Sequence, residues 1–469
     1  MLDKIVGAFG VVGSILIMIL IFSVLTVIHE WGHYLAARIF KVRVNEFSIF
    51  MGPKIFSRVG KKTGTRFSIR CLPLGGFCAL EGEEETKDSP ESYCNKPWYQ
   101  RAVILVAGVF MNFVLAILIV SVIFSVAGYD TRTVSSVNNA SASTWVMPML
   151  FTDLEPGDEV IAYNGMQIST PTDYSLYVTV QEAEDVTFTV RKKNGKEIPY
   201  VFERTFERKE NANDQKNPGT LKSIIQVFQK NGKTQTKLGT YTSFWDNNRA
   251  LTITLDYADG RKAEYYYGTR EEVPAVYVAE TAADGTLTET VHTDLSDKYT
   301  DEEYVQALIS EFNTTGSYKK FGFSFTYSKE GNIFQCIGQS FVYIWSLIKS
   351  VFLSLWWLIT GKLGLDAMAG PIGITSIVNK VVTAEAATGA KIHALADMTA
   401  LISANLAVFN LLPVPGLDGG KLLFIAIERI RGGKQISPET EGKISLVFFA
   451  LLILLAIVIA GNDIINLFG

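Results

Sequence analysis

His29, Glu30 and His33 lie in the segment VIHEWGH, residues 27–33, and their spacing suits metal-dependent hydrolysis. On a helix, two histidines four residues apart leave the same face, so their rings can occupy two corners of a zinc tetrahedron. Glu30 then lies close enough to exchange a proton with the reacting water. These residues therefore predict a zinc site in which Glu30 is the catalytic acid and base.

The charge-free run from residue 5 to residue 28 places this motif at the end of a membrane span. The same motif also occurs by chance in soluble helices. At membrane depth, however, two imidazoles and a carboxylate are costly unless they have a function. The run exceeds the apolar core of a signal peptide, which has about 7 to 15 residues, and no small-residue cleavage site precedes the motif. We therefore expect a retained span that carries a metal site.

Three further charge-free runs are long enough to cross a bilayer, at residues 102–129, 398–417 and 444–462. A hydrocarbon core of about 30 Å needs about 20 helical residues. Hydrophobic residues make up 48% of the chain and charged residues 19%, as expected for several spans joined to a polar domain. The net charge of −4 and the lack of a basic stripe argue against binding of nucleic acid. The sequence thus predicts four spans.

The loop between the first two spans, residues 38–101, is rich in Lys and Arg, which favours the cytoplasmic side. Three of the four cysteines lie in this loop, where thiols stay reduced, so no disulfide framework is expected. The N-terminus would then lie outside, and the metal site would lie toward the cytoplasmic leaflet.

Two histidines leave the metal without a third protein ligand, and Asp418 is the candidate for that position. It lies in NLLPVPGLDGG, residues 410–420, where Pro413, Pro415 and Gly416 interrupt an apolar run. Lipid cannot satisfy the backbone groups that such a break exposes, so the segment should line a protein interior or a water-filled cavity. The alternative is an ordinary helix stop with Asp418 as a solvated cap.

The pairing of VIHEWGH with NLLPVPGLDGG resembles the site-2 protease family of intramembrane zinc metalloproteases, in particular the bacterial RseP type. One departure is Val109, where the family usually has Pro, and it concerns the helix shape beside Asn112. Further matching segments occur in both membrane halves. They are FSIFMGPKIFSR (47–58), RFSIRCLPLGGFCALEGE (66–83), AGVFMNF (107–113), AGPIGI (369–374) and LLPVPGLDGGKLLFIAIERIRGG (411–433).

The resemblance implies that His29, His33 and Asp418 hold zinc and that Glu30 is the catalytic residue. It also places the conserved membrane asparagine of the family at Asn410. A neutral amide there would donate a hydrogen bond to an oxyanion or to the substrate backbone. The alternative role for Asn410 is a hydrogen bond between helices.

Residues 65–72, TRFSIRCL, alternate apolar and polar side chains and then meet Pro73, Gly75 and Gly76. This pattern predicts an amphipathic hairpin strand that ends in a turn. A substrate helix hides its amides in its own hydrogen bonds, and a strand edge can hold it in extended form. Since this region lies beside the site in the resembled family, we expect Gly75 and Gly76 to contact substrate. The alternative is a plain cytoplasmic hairpin.

Residues 129–330 form a separate polar domain between the membrane halves, residues 1–128 and 331–469. DLEPGDEVIAYNGMQI, residues 153–168, predicts two strands around an Asn-Gly turn, and a helix near 172–182 and a strand at 186–191 follow. This order resembles a PDZ domain, which in RseP-type proteases filters substrates by size outside the membrane. Within about 203–320, two Asp-Gly hairpins indicate a β-rich insertion.

The apolar segment at residues 331–361 raises a question of topology. If it crossed the membrane, the span that ends near Asp418 would finish on the face opposite His29. We therefore expect this segment, with its aromatic residues, to lie in the interface or to re-enter.

The sequence therefore predicts a polytopic α-helical membrane protein with four transmembrane helices, a membrane-associated β-hairpin and an extracytoplasmic PDZ-like, β-rich domain. The resemblance implies a zinc endopeptidase of the bacterial plasma membrane. Its substrates would be single-span membrane proteins in regulated intramembrane proteolysis: an anti-sigma factor after a first extracytoplasmic cleavage, or remnant signal peptides. Two alternatives are an idle PDZ-bearing scaffold and a transporter with broken helices.

Overall fold

The structure is a computed structural model that describes residues 2–83, 89–137, 147–180, 185–209, 220–245, 251–270, 273–292, 323–364, 370–434 and 436–468. The chain folds into two compact units. Unit one comprises Met1–Gly128 and Glu330–Gly469, and unit two comprises Tyr129–Lys329. Parts of the predicted insertion, at 210–219, 246–250, 271–272 and 293–322, lie outside the described residues, as does the first residue of AGPIGI.

Unit one is a helical bundle with one β-hairpin. Its described helices are α1 (Leu2–Ile39), α2 (Trp98–Ala127), α4 (Ile333–Ile359), α5 (Pro371–Thr383), α6 (Thr388–Leu411), α7 (Asp418–Ile430) and α8 (Pro438–Phe468). By length and composition, α1, α2, α4, α6 and α8 could each cross a membrane. The chain is thus a multi-pass membrane protein, and the predicted count of four crossings stays a prediction.

Helices α1 and α2 approach closely because small residues face each other where they meet. A Cβ atom at Gly32 would lie 2.2 Å from the carbonyl oxygen of Ala107 and 2.8 Å from Cα of Gly108. Small residues at such a crossing let helix backbones come together in a membrane, where lipid offers little hydrophobic drive for association. The crossing lies three residues beyond His29 along α1, so it holds the histidines against α2.

Helix α4 lies lengthwise against α2, and the expectation that residues 331–361 lie in the interface or re-enter stays a prediction. The Ser121 hydroxyl of α2 donates to Oγ of Ser340 at 3.1 Å, and the Cys336 thiol lies 3.5 Å from the carbonyl oxygen of Phe124. A buried cluster continues this contact toward α6. Its members are Ala116, Val120, Ile344, Leu347, Ala400 and Ala404.

Helix α5 returns the chain to the end of the bundle that lies away from His29. Asn379, late in α5, accepts a hydrogen bond of 3.2 Å from Ser14, which lies early in α1. Helix α6 therefore starts far from His29 and runs toward it. Asp418 arrives on the same side as the histidines even though α4 lies along α2.

Helix α6 covers different residues from the predicted span 398–417. It begins at Thr388, and Nδ1 of His393 lies 3.0 Å from Oδ2 of Asp397 on its partly exposed surface. It ends at Leu411 because the prolines that follow lack the N–H groups needed to continue it. The break between α6 and α7 thus lies within NLLPVPGLDGG, as predicted.

The β-hairpin consists of β1 (Val44–Val59) and β2 (Arg66–Leu80). The turn predicted at Pro73–Gly76 is wrong, because β2 continues through these residues and only bends, with Gly75 at a φ of 64°. The bends let residues 44–49 pair with both residues 66–69 and residues 76–80. The two bent strands therefore form a small, compact sheet that packs beside α1.

Glu46 holds the middle of this hairpin together. Burial alone would raise the pKa of Glu46, but hydrogen bonds from Ser68, Lys54 and Arg70 lower it to about 2. The carboxylate therefore remains charged throughout the physiological range, and the two bent strands stay joined.

Unit two is built on one long antiparallel sheet. The strands are β3 (Tyr129–Val137), β4 (Glu159–Tyr163), β5 (Met166–Gln167), β6 (Val186–Arg191), β7 (Glu197–Lys209), β8 (Thr220–Asn231), β9 (Thr234–Trp245), β10 (Leu251–Tyr257), β11 (Lys262–Arg270), β12 (Val273–Thr281), β13 (Leu287–His292) and β14 (Phe323–Lys329). From β6 to β13 the strands pair in chain order, while β14 returns to pair with β3.

The first part of unit two has the predicted order of strand, Asn164–Gly165 turn, strand, helix α3 (Pro171–Val180) and strand. Both turn residues have positive φ, 45° and 78°, as a type I′ turn requires. The Asp-Gly hairpins follow as β10–β11 and β12–β13. Strand β7 crosses the predicted insertion boundary at 203 without a break, and the assignment to the PDZ fold stays a prediction.

Candidate metal centre and active site

The structure brings His29, His33 and Asp418 together, although Asp418 is 389 positions from His29. Nε2 of His29 lies 3.1 Å from Nε2 of His33 and 2.9 Å from Oδ2 of Asp418, while Nε2 of His33 lies 3.3 Å from the same Oδ2. Ligands bound at about 2.0–2.2 Å to one tetrahedral zinc ion lie roughly 3.3–3.6 Å apart. The three atoms therefore fit a single zinc ion with little movement.

His33 is fixed in the tautomer that metal binding needs. Its Nδ1 donates a hydrogen bond of 2.8 Å to the backbone carbonyl of Ile104 in α2. A carbonyl oxygen can only accept, so the hydrogen is on Nδ1 and the lone pair of Nε2 is directed to the site. Such outer partners commonly orient the histidines of metal sites.

Gly108 gives the two imidazole rings the space they occupy. A Cβ atom at this position would lie 2.5 Å from Nε2 of His33 and 2.9 Å from Cε1 of His29. Any side chain there would displace the rings. The face of α2 between Ile104 and Asn112 is therefore shaped for the histidines.

Asp418 is the first residue of α7, and the glycines after it allow the sharp turn that brings it to the site. A Cβ atom at Gly419 would lie 2.1 Å from the carbonyl oxygen of Leu412, and one at Gly420 would lie 2.4 Å from that of Val414. Only glycine fits so close to the preceding backbone. The broken segment is thus folded tightly onto the start of α7.

Two ion pairs fasten α7 to the N-terminal half of unit one. Nη2 of Arg101, at the start of α2, lies 2.7 Å from both carboxylate oxygens of Glu428. Lys421 pairs with Glu83, which follows the hairpin. Burial alone would lower the pKa of Lys421, but the charge and hydrogen bond of Glu83 raise it. Both contacts hold the helix that carries Asp418.

Glu30 is half-buried between the histidines and lies next to the hairpin. A Cβ atom at Gly76 would come within 3.9 Å of Cγ of Glu30, and one at Gly75 would lie 3.7 Å from Thr26. Ser23 also donates a hydrogen bond of 3.1 Å to the backbone of Pro73. The structure therefore places both predicted glycines along α1, with Gly76 beside Glu30.

Asn410 and Asn112 both face His29. Nδ2 of Asn410 lies 3.4 Å from Nε2 of His29, and Nδ2 of Asn112 lies 3.5 Å from its Nδ1. Asn410 thus lies beside the metal centre, next to the His29 nitrogen that faces the other two candidate ligands. Val109, where the resembled family has Pro, is buried within an unbroken α2, and it changes none of these contacts.

The other two histidines lie elsewhere. His393 pairs with Asp397 on the surface of α6, and His292 ends strand β13 in unit two. Among the described residues, His29, His33 and Asp418 are the group whose ligand atoms could hold a metal ion.

The sequence did not reveal the residues that orient the candidate ligands. Gly108 lies in AGVFMNF, one of the segments that match the resembled family, but the motif alone did not predict that this glycine contacts the histidines. The backbone carbonyl of Ile104 could not be predicted as a hydrogen-bond acceptor for His33, because every residue type has such a carbonyl. Arg101 and Glu428 are too far apart in the sequence for their pairing to be read from it.

Comparison with known proteins places this geometry in a family. The model of peptidase family M50 matches residues 17–455. The chain is 30% identical to the regulator of sigma-W protease RasP of Bacillus subtilis, with 97% of this chain and 99% of that protein aligned. It is 28% identical to the zinc metalloprotease RasP of Shouchella clausii, with 97% and 100% aligned, and 28% identical to that of Geobacillus kaustophilus, with 96% and 97% aligned. Because the family model spans most of the chain and the ligand atoms fit its metal, this protein belongs to peptidase family M50, the site-2 proteases, which are zinc metalloproteases.

Proposed function

We propose that this protein cleaves the transmembrane segments of single-span membrane proteins, with zinc held by His29, His33 and Asp418. The observation that best supports this function is the set of three ligand atoms, 2.9–3.3 Å apart, at the end of an apolar helix. When bound, zinc supplies Lewis-acid activation of water and of the peptide carbonyl. A site at this depth can reach peptide bonds that soluble proteases cannot.

Glu30 is the acid and base in this proposal. It lies on α1 between two ligands, so its carboxylate can take a proton from the attacking water and later give it to the leaving amine. Nδ2 of Asn410 lies 3.4 Å from Nε2 of His29. Its amide can donate a hydrogen bond to the substrate carbonyl as negative charge develops on that oxygen.

The bent hairpin presents substrate to Glu30 in extended form. Residues 76–80 pair on one side with residues 44–49, and Gly76 lies beside Glu30. A substrate segment that adds to this strand must leave its helical state, which exposes its peptide bonds. Glycine at positions 75 and 76 keeps side chains from blocking the approach.

We further propose that the natural substrates are membrane proteins already shortened by another protease. The relative from Bacillus subtilis is named a regulator of sigma-W protease, which supports an anti-sigma factor as substrate. Remnant signal peptides are a second candidate class, because they are also short single spans. The PDZ-like unit two would lie outside the bacterial plasma membrane and exclude substrates with bulky outer domains.

Reconstituted protein tests the catalytic proposal directly. The unaltered protein and Glu30→Gln are placed in vesicles with a shortened single-span substrate, and both cleavage and bound zinc are measured. Glu30→Gln keeps all three ligands, so we expect one zinc per chain but cleavage lower by several orders of magnitude. Near-normal cleavage by Glu30→Gln would remove Glu30 from the mechanism. Zinc without cleavage in the unaltered protein, across several single-span substrates, would favour a scaffold.

A further inference from the structure

Asn112 is a fully buried amide in the middle of α2, and its polar atoms are not all satisfied. Its Nδ2 lies 3.5 Å from Nδ1 of His29. Its Oδ1 is buried without a hydrogen-bond partner among the described residues. Buried polar atoms in folded proteins are nearly always paired, so an unpaired one at a metal site needs a functional explanation.

The chemistry of His29 decides which end of this amide must face it. Nε2 of His29 lies beside Nε2 of His33 and Oδ2 of Asp418, so it offers its lone pair to the metal. A neutral imidazole then carries its hydrogen on Nδ1. With Nδ2 of Asn112 toward it, two hydrogen-bond donors would face each other.

A half-turn of the amide removes this conflict. The oxygen and nitrogen of an amide have nearly the same shape and exchange places when the group turns. Oδ1 of Asn112 then accepts the hydrogen of His29 Nδ1. One end of the amide has no partner in either orientation, so the contact with His29 determines the choice.

We propose that Asn112 is a positioning residue that accepts a hydrogen bond from Nδ1 of His29 and fixes this ring for metal binding. The proposal rests on the zinc site proposed above. It makes the two ligands equivalent, because Ile104 accepts from Nδ1 of His33 in the same way. Ile104, Gly108 and Asn112 follow one another at intervals of four residues, so a single face of α2 orients both rings.

Asn112 also has a structural contact from which this role must be separated. Its backbone carbonyl accepts a buried hydrogen bond of 2.9 Å from the Ser403 hydroxyl of α6. Polar contacts of this kind join helices in membranes and do not require an amide side chain. Ser403→Ala removes that contact and leaves the side chain of Asn112 in place, so it is the matched control.

Zinc affinity measured by chelator competition on the purified full-length protein tests the proposal. Asn112→Leu has a similar size but no acceptor, and we expect it to bind zinc about 10- to 100-fold more weakly. Asn112→Asp keeps an acceptor oxygen, so we expect its affinity to equal or exceed that of the unaltered protein. A purely structural amide would not be rescued by a buried carboxylate. Ser403→Ala should bind zinc normally.

The outcomes separate this proposal from the metal site itself. One zinc per chain in the unaltered protein that is lost in His29→Ala supports the site alone. Given that result, normal affinity in Asn112→Leu, or weak affinity in Asn112→Asp, would overturn the positioning role. If Asn112→Leu does not fold, Asn112→Ala replaces it in the same comparison, with the same expected loss and the same contradicting result.

Discussion

Arg101 and Glu428 form a buried ion pair between the start of α2 and the end of α7, with Nη2 of Arg101 2.7 Å from both carboxylate oxygens. The exposed fractions of these residues are 7% and 9%. Since α7 begins at Asp418, this pair ties the proposed third ligand to the half of unit one that supplies the two histidines.

We therefore expect Glu428→Gln to lower the free energy of unfolding by about 3–5 kcal/mol, because it leaves the buried charge of Arg101 unpaired. Replacing both residues with apolar ones of similar size should recover most of that loss. Thermal unfolding of the detergent-solubilised protein measures the effect. Lys443→Gln breaks the exposed pair with Glu439 and should change little. Equal stability of Glu428→Gln and Lys443→Gln would contradict the expectation.

Asp418→Ala should lose both zinc and cleavage. Two histidines alone hold zinc poorly, and the substitution removes the third ligand atom, 2.9 Å from Nε2 of His29. Metal analysis of the purified variant gives the answer. One zinc per chain in Asp418→Ala would mean that Asp418 only caps α7.

Gly108→Ala should abolish zinc binding through a single added methyl group. That methyl would lie 2.5 Å from Nε2 of His33, so the rings must move away from the metal position. Gly338→Ala in α4 is the matched control, because a Cβ atom there meets nothing within 4 Å. Alanine favours a helix over glycine, so the control should be at least as stable as the unaltered protein. Similar zinc content in both variants would contradict the expectation that a side chain at position 108 displaces the imidazole rings.

Gly76→Ala should impair cleavage while zinc stays bound. Its Cβ atom would lie 2.8 Å from the Ser48 carbonyl oxygen, so the strand beside Glu30 must shift. A displacement near 1 Å at a reacting centre can cost about 100-fold in rate. Gly64→Ala strains the hairpin at a φ of 67° without bringing an atom near the site. If kcat/KM falls equally in both variants, the hairpin acts through stability alone.

Unit two should govern which substrates enter and leave the metal site unaffected. A variant lacking Tyr129–Lys329 keeps all three proposed ligands, so we expect normal zinc content. It should also cleave substrates that still carry a bulky outer domain, while shortened substrates are cut at a similar rate by both forms. The comparison uses both substrates and both proteins in the same membranes. Loss of cleavage of the shortened substrate, with zinc retained, would show delivery of substrate by unit two.

The sequence predicted which residues meet at the candidate site better than it predicted the path of the chain. The spacing of His29 and His33 and the broken helix before Asp418 are local signals, and the structure brings these residues together. The course of α4 depends on the return of α5, which no local pattern at residues 331–361 reveals. The sequence predicts a turn at Gly75 where the structure has a bend within β2, because glycine with a positive φ occurs in both turns and bends.

Because His29 and Asp418 are 389 positions apart in the sequence, the ribosome adds the histidines long before it adds Asp418. At about 5–20 residues per second, the ribosome needs roughly 20 to 80 s to travel from the first ligands to the third. Throughout that interval the nascent chain holds two histidines and no complete metal site. A nascent chain therefore has no complete set of proposed zinc ligands, and no cleavage activity of its own, until Asp418 has been added.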